Sequence, residues 1–421
     1  VNSCAIEFTH FRYYDTKNWT DSVLYGAIII RPNRPQPEWV SLCNEKQLYD
    51  LLKSNANPAQ LYASRGKKRG RKRGVNPTED PILPSVALYE LLWKPLEAHL
   101  SDVKTVYYAP SGLLHRIAYA ALKVNELDLL SDKYDLHAVS STRNVLSERA
   151  NPLIFNDKNS VLIYGGIQYD ADSLALLEAA NLPTQATLSQ VQSRLLAQRG
   201  GVQDRLRKTA WTYLAGTKWE LERVTTLFKK KNIIPDAKMG FAASESDFKK
   251  QQYHELSPHV IHFATHGFFY QKPAKSLQQS FQSSANPLIR SGLVMAGANQ
   301  VWMGNKPFVG FEDGILTAYE ISLMNLSNTK LVVLSACETG LGDIEGSEGV
   351  YGLQRAFKMA GVESVLMSLW QVPDKQTAEL MEKFYTYLLE NQSIQSAFAQ
   401  AQQAMKAKYT PYYWAGFVLV Q

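Results

Sequence analysis

The stretch that decides the fold is Lys330 to Gly342, KLVVLSACETGLG. Its short apolar run, Leu331 to Leu334, predicts a strand that is buried on both faces, as in a parallel sheet. Cys337 follows at the carboxyl end of this strand, which is the edge where open α/β sheets bind their ligands. The sequence therefore predicts an α/β fold with a thiol at the functional edge of its sheet.

A second stretch has the same design. The sequence HVIHFATHGFF, residues 259–269, predicts a strand over Val260 to Phe263 that ends in a turn containing His266 and Gly267. If the two strands are neighbours in one parallel sheet, the thiol of Cys337 and the imidazole of His266 meet at the same edge.

This pair of residue types predicts nucleophilic chemistry. An imidazole activates a thiol by taking its proton, and backbone N–H groups stabilise the oxyanion of a tetrahedral intermediate. Cys337 is the candidate nucleophile, His266 the candidate base, and the N–H groups of Gly267 and Cys337 are candidates for the oxyanion hole. A second interpretation stays open, because a cysteine at a strand end is often a small buried core residue. His262, inside the strand, is interpreted as a core or supporting histidine.

Length and composition limit the classes of protein. The chain has 421 residues and is 45% hydrophobic, so it is long enough for two core-bearing units or one large one. It lacks an apolar run of the roughly 18 residues that a membrane span needs and an N-terminal signal pattern, so we expect a soluble, cytoplasmic protein without a membrane partner. Three scattered cysteines and no zinc-type spacing predict neither a disulfide framework nor a metal, and no cofactor is expected.

The formal net charge of +6 comes from one segment. The basic loop, Arg65 to Arg73 (RGKKRGRKR), holds seven of the 45 basic residues and no acidic one, so the remaining 38 basic residues face 39 acidic ones. It lacks the interleaved aromatic residues that stack on bases, so a nucleic-acid contact is expected only indirectly. Three interpretations stay open: a solvated loop, a contact for a polyanion or an acidic partner, and a site of self-cleavage.

The order of elements predicts two α/β units, of which the first covers residues 1–150. Residues 25–32 and 37–42 predict a strand pair joined by a turn. Residues 84–100 predict an amphipathic helix with a kink or a restart at Pro95.

The second unit is predicted over residues 151–421. Its helix at 216–231 has Thr217 at the expected cap position and Glu220 three residues later, which is the spacing of a capping box. Residues 313–326 are predicted to form another helix.

Several ordered motifs carry a resemblance to a known family: HFATHG (262–267), LSACETGLG (334–342), GLQRAFKMAG (352–361), SVLMSLWQVPD (364–374) and YYWAGFVLV (412–420). Together they resemble the CHAT domain, a branch of the caspase-like cysteine peptidases that is related to separase and often attached to tetratricopeptide repeats. The resemblance implies a caspase-like three-layer α/β sandwich with a mainly parallel central sheet, preceded by a smaller pseudo-caspase-like half. It also implies that His266 and Cys337 form the catalytic dyad.

The same resemblance suggests a specificity. In separase-like relatives an acidic residue just after the SLW-type strand binds a basic P1 side chain, and Asp374 stands at the matching place. A second interpretation of Asp374 is the N-cap of the following helix. Asp343, Glu345 and Glu348 are rivals for the pocket, and a solvated acidic turn is the alternative interpretation that we favour for them.

A basic P1 preference would make the chain a candidate substrate of its own site. The basic loop, Lys272 and Lys275 then become candidate self-cleavage sites.

The resemblance predicts a cysteine endopeptidase that cleaves a protein substrate. It further implies latency until a partner or an attached repeat domain upstream of Val1 activates the site, with a role in bacterial immunity or programmed cell death through a gasdermin-like or another effector. The alternative is a non-catalytic interaction scaffold of the same fold that docks an acidic partner or RNA through its basic loop.

Overall fold

The protein is described by a computed structural model. It describes residues 2–32, 34–53, 61–62, 84–125, 127–146, 153, 155, 161–170, 210–253, 256–269, 286–307, 311–335, 348–390 and 393–421.

The strands are, in chain order, β1 (Ser3–Tyr14), β2 (Trp19–Ile30), β3 (Glu38–Asn44), β4 (Thr105–Ala109), β5 (Asp135–Ala138), β6 (Val161–Ile167), β7 (Asp236–Gly240), β8 (Val260–Phe263), β9 (Gly267–Phe269), β10 (Ser291–Val294), β11 (Ile315–Thr317), β12 (Leu331–Leu334), β13 (Ser364–Ser368) and β14 (Phe417–Val420). The α-helices are α1 (Glu45–Lys53), α2 (Pro84–Leu92), α3 (Leu130–Lys133), α4 (Ala215–Lys230), α5 (Glu245–Lys249), α6 (Asn299–Trp302), α7 (Ala318–Ser322), α8 (Glu348–Met359), α9 (Asp374–Leu388) and α10 (Ile394–Lys406). Short 3₁₀ helices lie at Lys94–His99, Gly112–Arg116, Tyr119–Ala121, Thr142–Leu146, Lys250–Tyr253 and Pro411–Tyr413.

The described residues pack into two compact units. The first unit is built from residues 1–150 and 402–421, and the second from residues 151–342 and 348–401. The interpretation of the first half as pseudo-peptidase-like stays a prediction.

The first unit is organised on a long hairpin. β1 and β2 pair antiparallel, β3 continues the antiparallel edge, and β4, β5 and β14 follow on the other side in parallel. The predicted strand pair at 25–32 and 37–42 is confirmed as β2 and β3. The restart at Pro95 is also confirmed, because α2 ends at Leu92 and a 3₁₀ helix with Pro95 in its first turn follows.

The second unit is organised on five strands in the order β13-β12-β8-β6-β7, in which each described pair runs parallel. Every residue of β6, β8, β12 and β13 is buried, as expected for strands covered on both faces. The α/β fold class with a mainly parallel central sheet is therefore confirmed. β8 and β12 are direct neighbours, with Phe263 opposite Leu334.

A small antiparallel sheet, β9-β10-β11, lies in the same unit, and it corrects one prediction. The sequence predicts a helix throughout residues 313–326, but Ile315–Thr317 pairs with β10 as β11 and the helix α7 begins only at Ala318. Thr317 caps α7 in a capping box with Glu320, and this local signal ends the strand.

Candidate active site

His266 lies just beyond β8, and hydrogen bonds connect this part of the chain to the adjacent strands. The N–H of Ala264 donates to the carbonyl of Tyr164 at 2.8 Å. The hydroxyl of Thr265 donates to the carbonyl of Val294, and the N–H of Val294 donates to the carbonyl of His266 at 2.9 Å. The main chain on both sides of the imidazole is therefore fixed by hydrogen bonds.

The imidazole of His266 is buried, with 7% of the residue exposed. Its Nε2 lies 2.8 Å from the carbonyl oxygen of Thr212, in the segment that precedes α4. The ring also packs against Trp211, at a centroid distance of 4.9 Å, and against Tyr169, at 5.1 Å. The residue predicted to be a base is thus held in one orientation by two aromatic rings and a backbone carbonyl.

The partner of Nε2 determines the tautomer of His266. A carbonyl oxygen only accepts, so Nε2 must carry the proton that it donates to Thr212. In the neutral ring the lone pair then lies on Nδ1. Nδ1 is therefore the atom that would take a proton in general-base chemistry.

Gly267 is the first residue of β9 and lies opposite Leu293 of β10. Because His266 accepts the N–H of Val294, Gly267 occupies a non-hydrogen-bonded position of this antiparallel ladder. Its N–H therefore points away from β10, as an oxyanion donor would require. The role of Gly267 in an oxyanion hole stays a prediction.

Cys337 lies outside the described residues. The last described residue before it is Ser335, whose N–H donates to the carbonyl of Phe263 at 2.8 Å. This bond extends the pairing of β12 with β8 by one position, so the carboxyl ends of the two strands share one edge. The predicted adjacency of the two strands is confirmed, and the His266/Cys337 dyad stays a prediction.

A buried chain of polar side chains lies behind the same edge. His262 is completely buried, and its Nδ1 lies 3.0 Å from the hydroxyl of Tyr385. Its Nε2 lies 3.1 Å from Oε1 of Glu220, but these two atoms do not form a hydrogen bond. The other oxygen of Glu220 accepts the hydroxyl proton of Ser335 at 2.9 Å. Glu220 thus connects β8 to the end of β12.

The predicted capping box at Thr217 and Glu220 is wrong. The N-cap of α4 is Leu214, so both residues are inside the helix and face the sheet. The hydroxyl of Thr217 donates to the carbonyl of Leu214 at 2.7 Å and accepts the N–H of Gly166 at 3.0 Å. Glu220 turns inward because the buried His262 and Ser335 are its partners.

Asp374 is exposed, and it is the first residue of α9. The N-cap interpretation is wrong by one position, because Pro373 is the N-cap, and the carboxylate of Asp374 instead lies in the first turn, where negative charge is favourable. It packs against Gly216 of α4, where a Cβ would lie 2.2 Å from Oδ2 of Asp374. Its role in a P1 pocket stays a prediction.

Other predicted residues lie outside what the structure describes: the basic loop, Lys272, Lys275, Asp343 and Glu345. Glu348 begins α8, but its side chain is also outside the description. Among the described side chains, no group of three or more His, Cys, Asp or Glu residues is placed to hold a metal ion. In the same described part, none of the helices combines the length and the apolar character that crossing a membrane requires.

The fold and the position of His266 define a class of α/β proteins with a parallel sheet. In this class a histidine follows one strand of the sheet, and a cysteine follows the neighbouring strand in the sequence. The family model of the CHAT domain matches residues 84–421 of this chain. The chain therefore belongs to the CHAT domain family.

Two curated relatives match a shorter region. Over 109 residues the chain is 36% identical to tetratricopeptide repeat protein 28 of Mus musculus and, equally, to that of Homo sapiens. The matched region is 25% of this chain and only 4% of either relative.

Solved structures resemble the chain more distantly. The Arg-specific cysteine proteinase gingipain R aligns with a TM-score of 0.40 and 9% identity, covering 89% of this chain and 74% of that one. The Saccharomyces cerevisiae separase–securin complex aligns with a TM-score of 0.44 and 11% identity, covering 100% of this chain and 30% of that one.

Proposed function

We propose that this chain is a cysteine endopeptidase that uses His266 and Cys337 as a catalytic dyad. The observation that supports the proposal is the state of His266, which is buried at the carboxyl end of β8, beside β12, with Nε2 donating to a backbone carbonyl. Membership of the CHAT domain family supports the same class of activity.

In the proposed reaction the thiol of Cys337 gives its proton to Nδ1 of His266, and the thiolate attacks the scissile carbonyl carbon. A C–S bond forms while the carbonyl electrons move to oxygen, and the N–H groups of Gly267 and Cys337 stabilise the oxyanion. Collapse of the intermediate breaks the C–N bond, and the imidazolium gives its proton to the leaving amine. Water, deprotonated by the same imidazole, then hydrolyses the thioester and restores the thiol. The reaction as written uses no cofactor.

Fluorogenic peptides that differ only at P1, with Arg, Lys, Asp, Leu or Met, test this proposal. We expect Cys337-dependent cleavage by the wild type, slow in the isolated chain and faster once an activating partner or repeat domain is bound, and none by Cys337→Ala. The proposal is wrong if neither protein cleaves any peptide and the thiol of Cys337 is unreactive. The alternative is then a non-catalytic scaffold that docks an acidic partner or RNA through its basic loop.

Thiol alkylation separates the activated cysteine from the other two within one sample. Cys4 and Cys43 are buried, and burial raises the pKa of their thiols to about 12 and about 11, so they are poor nucleophiles. We expect iodoacetamide to modify Cys337 at least about tenfold faster than either of them, and more slowly in His266→Ala. Equal rates for all three cysteines would contradict an activated thiol.

We also propose that Asp374 selects Arg or Lys at P1. A carboxylate forms charge-assisted hydrogen bonds with either side chain, and Asp374 is exposed at the start of α9. Asp374→Asn should lower cleavage after Arg and Lys while leaving cleavage after Leu unchanged. Glu390→Gln, at an exposed carboxylate beyond the other end of α9, is the matched control. If Asp374→Asn lowers the cleavage of all peptides equally, Asp374 does not bind the P1 side chain.

We further propose that the site is latent until a partner or an attached repeat domain binds, and that the substrate is a protein such as a gasdermin-like effector. The match to a tetratricopeptide repeat protein supports an attached repeat domain, whereas the effector substrate rests on the family resemblance alone. Intact mass after incubation with and without such partners should reveal fragments that depend on Cys337, whether they come from the effector or from the basic loop of the chain itself.

A further inference from the structure

The orientation of His266 depends on a short segment that we call the strap, residues 210–214. The strap precedes α4 and supplies both the carbonyl of Thr212 and the ring of Trp211 to the imidazole. A main-chain acceptor can orient an imidazole only if the main chain itself is held in place. The residue that holds it is Asn299 of α6.

The side chain of Asn299 forms hydrogen bonds with both the N–H and the carbonyl of Trp211. Its Oδ1 accepts the N–H of Trp211 at 2.7 Å, and its Nδ2 donates to the carbonyl of Trp211 at 3.0 Å. Nδ2 also donates to Oδ1 of Asp170 at 2.8 Å. Only one orientation of the amide satisfies these bonds, because an N–H donates and a carbonyl accepts. Asn299 is 5% exposed, so a loss of these bonds would leave buried polar groups unsatisfied.

The main chain of Asn299 also holds Tyr169, whose ring is the second one that packs against His266. Its N–H donates to the carbonyl of Tyr169 at 2.9 Å, and the ring of Tyr169 packs against His266. The hydroxyl of Tyr169 lies 2.9 Å from Oγ1 of Thr265, the residue before His266. One asparagine therefore fixes both aromatic rings that face the imidazole.

We propose that Asn299 is a positioning residue: through Trp211 and the carbonyl of Thr212 it fixes the ring orientation and the Nε2–H tautomer of His266. It acts through the strap and not on a substrate. Its effect on catalysis rests on the proposed peptidase function, whereas its effect on the tautomer does not.

Variants of Asn299 separate positioning from folding. Asn299→Ala removes the three side-chain bonds, whereas the near-isosteric Asn299→Asp keeps an acceptor for the N–H of Trp211 and loses both donations. Gln300→Ala is the matched control, because Gln300 is the next residue of α6 and its amide donates elsewhere, to the carbonyl of Lys306. Thr212→Ala is a second control, since the contact to His266 uses only the main chain of Thr212.

The decisive readout is the imidazole nitrogen spectrum of protein labelled with ¹⁵N-histidine, with the His266 signals assigned by His266→Gln. In the wild type and both controls we expect a single tautomer protonated at Nε2. In Asn299→Asp and Asn299→Ala we expect a mixture of tautomers. An unchanged Nε2–H tautomer in a folded Asn299→Asp protein would overturn the proposal, whatever the behaviour of Asn299→Ala.

Kinetics on the same proteins then distinguish the two proposals. If the chain is a peptidase, kcat/KM should fall about 100-fold in Asn299→Asp, because small displacements of a catalytic group have costs of this size, and should stay unchanged in Gln300→Ala. A mixed tautomer in a chain without Cys337-dependent cleavage would sustain the positioning role and contradict the peptidase. Full activity of Asn299→Asp would overturn the positioning role and leave the peptidase intact.

Discussion

Both units place a histidine beside the end of a parallel strand, but the two environments differ. In the first unit Nδ1 of His10 lies 2.7 Å from the hydroxyl of Ser111, which follows β4. His10 is exposed, and among the described residues it stacks on the ring of Tyr25, at 5.5 Å. In the second unit His266 is buried between two rings. Suitable residue types at a strand end are therefore insufficient to define an active site.

The hydrogen-bond partners show what distinguishes the two histidines. The hydroxyl of Ser111 either donates or accepts, so its bond leaves the tautomer of His10 undetermined. The carbonyl of Thr212 only accepts, so its bond fixes the tautomer of His266. A catalytic base needs this fixed orientation, together with a rigid surround that holds it.

The largest expected effect comes from removing each histidine in turn. His266→Ala should lower kcat/KM by about 10²–10⁴-fold, the usual contribution of a general base, whereas His10→Ala should leave it unchanged. Peptide cleavage under identical conditions measures both. If kcat/KM falls by a comparable factor in the two variants, the proposed functional difference between His266 and His10 is wrong.

The second prediction compares one glutamate in each unit, buried in the second unit and exposed in the first. Glu220→Ala leaves the buried hydroxyl of Ser335 without its acceptor and removes the carboxylate beside His262, so the free energy of unfolding should fall by about 1–3 kcal/mol. In the first unit Glu90 pairs with Lys94 at 2.6 Å on an exposed surface, and Glu90→Ala should cost under about 0.5 kcal/mol. Urea denaturation of the two variants measures this contrast. Equal midpoints would show that the buried chain contributes nothing to stability.

Much of the second unit could be predicted from the sequence because its signals are local. The run at 331–334 is continuously apolar, and the run at 260–263 is apolar except for His262, so two buried strands with His266 just beyond the end of one could be predicted, and their pairing could be hypothesised. The strand at 315–317 was missed because its three residues continue into a helical pattern, and only the pairing with β10 separates them.

The residues that support His266 could not be predicted, for physical reasons. The carbonyl of Thr212 belongs to the main chain, and no residue type marks it. Asn299 meets Trp211 across 88 positions of sequence, and nothing local indicates that contact. Glu220 carried a misleading local signal, since its spacing from Thr217 is that of a capping box, but tertiary partners determine where its carboxylate lies.

The smallest expected effect concerns pH and the histidines of the first unit. Burial lowers the pKa of His115 from 6.5 to about 4, with the neighbouring charge of His10 as the second cause. Between these values the unfolded chain binds a proton that the folded chain does not, so this stabilisation is present above pH 6.5 and is lost as the pH falls towards 4. The ring is half-buried, so we expect a loss of about 1–3 kcal/mol over this range. His115→Gln should flatten the dependence of the urea midpoint on pH, and His10→Gln should flatten it less, because burial is the larger cause. An identical pH dependence in wild type and His115→Gln would show that His115 is not the group that makes the first unit sensitive to acid.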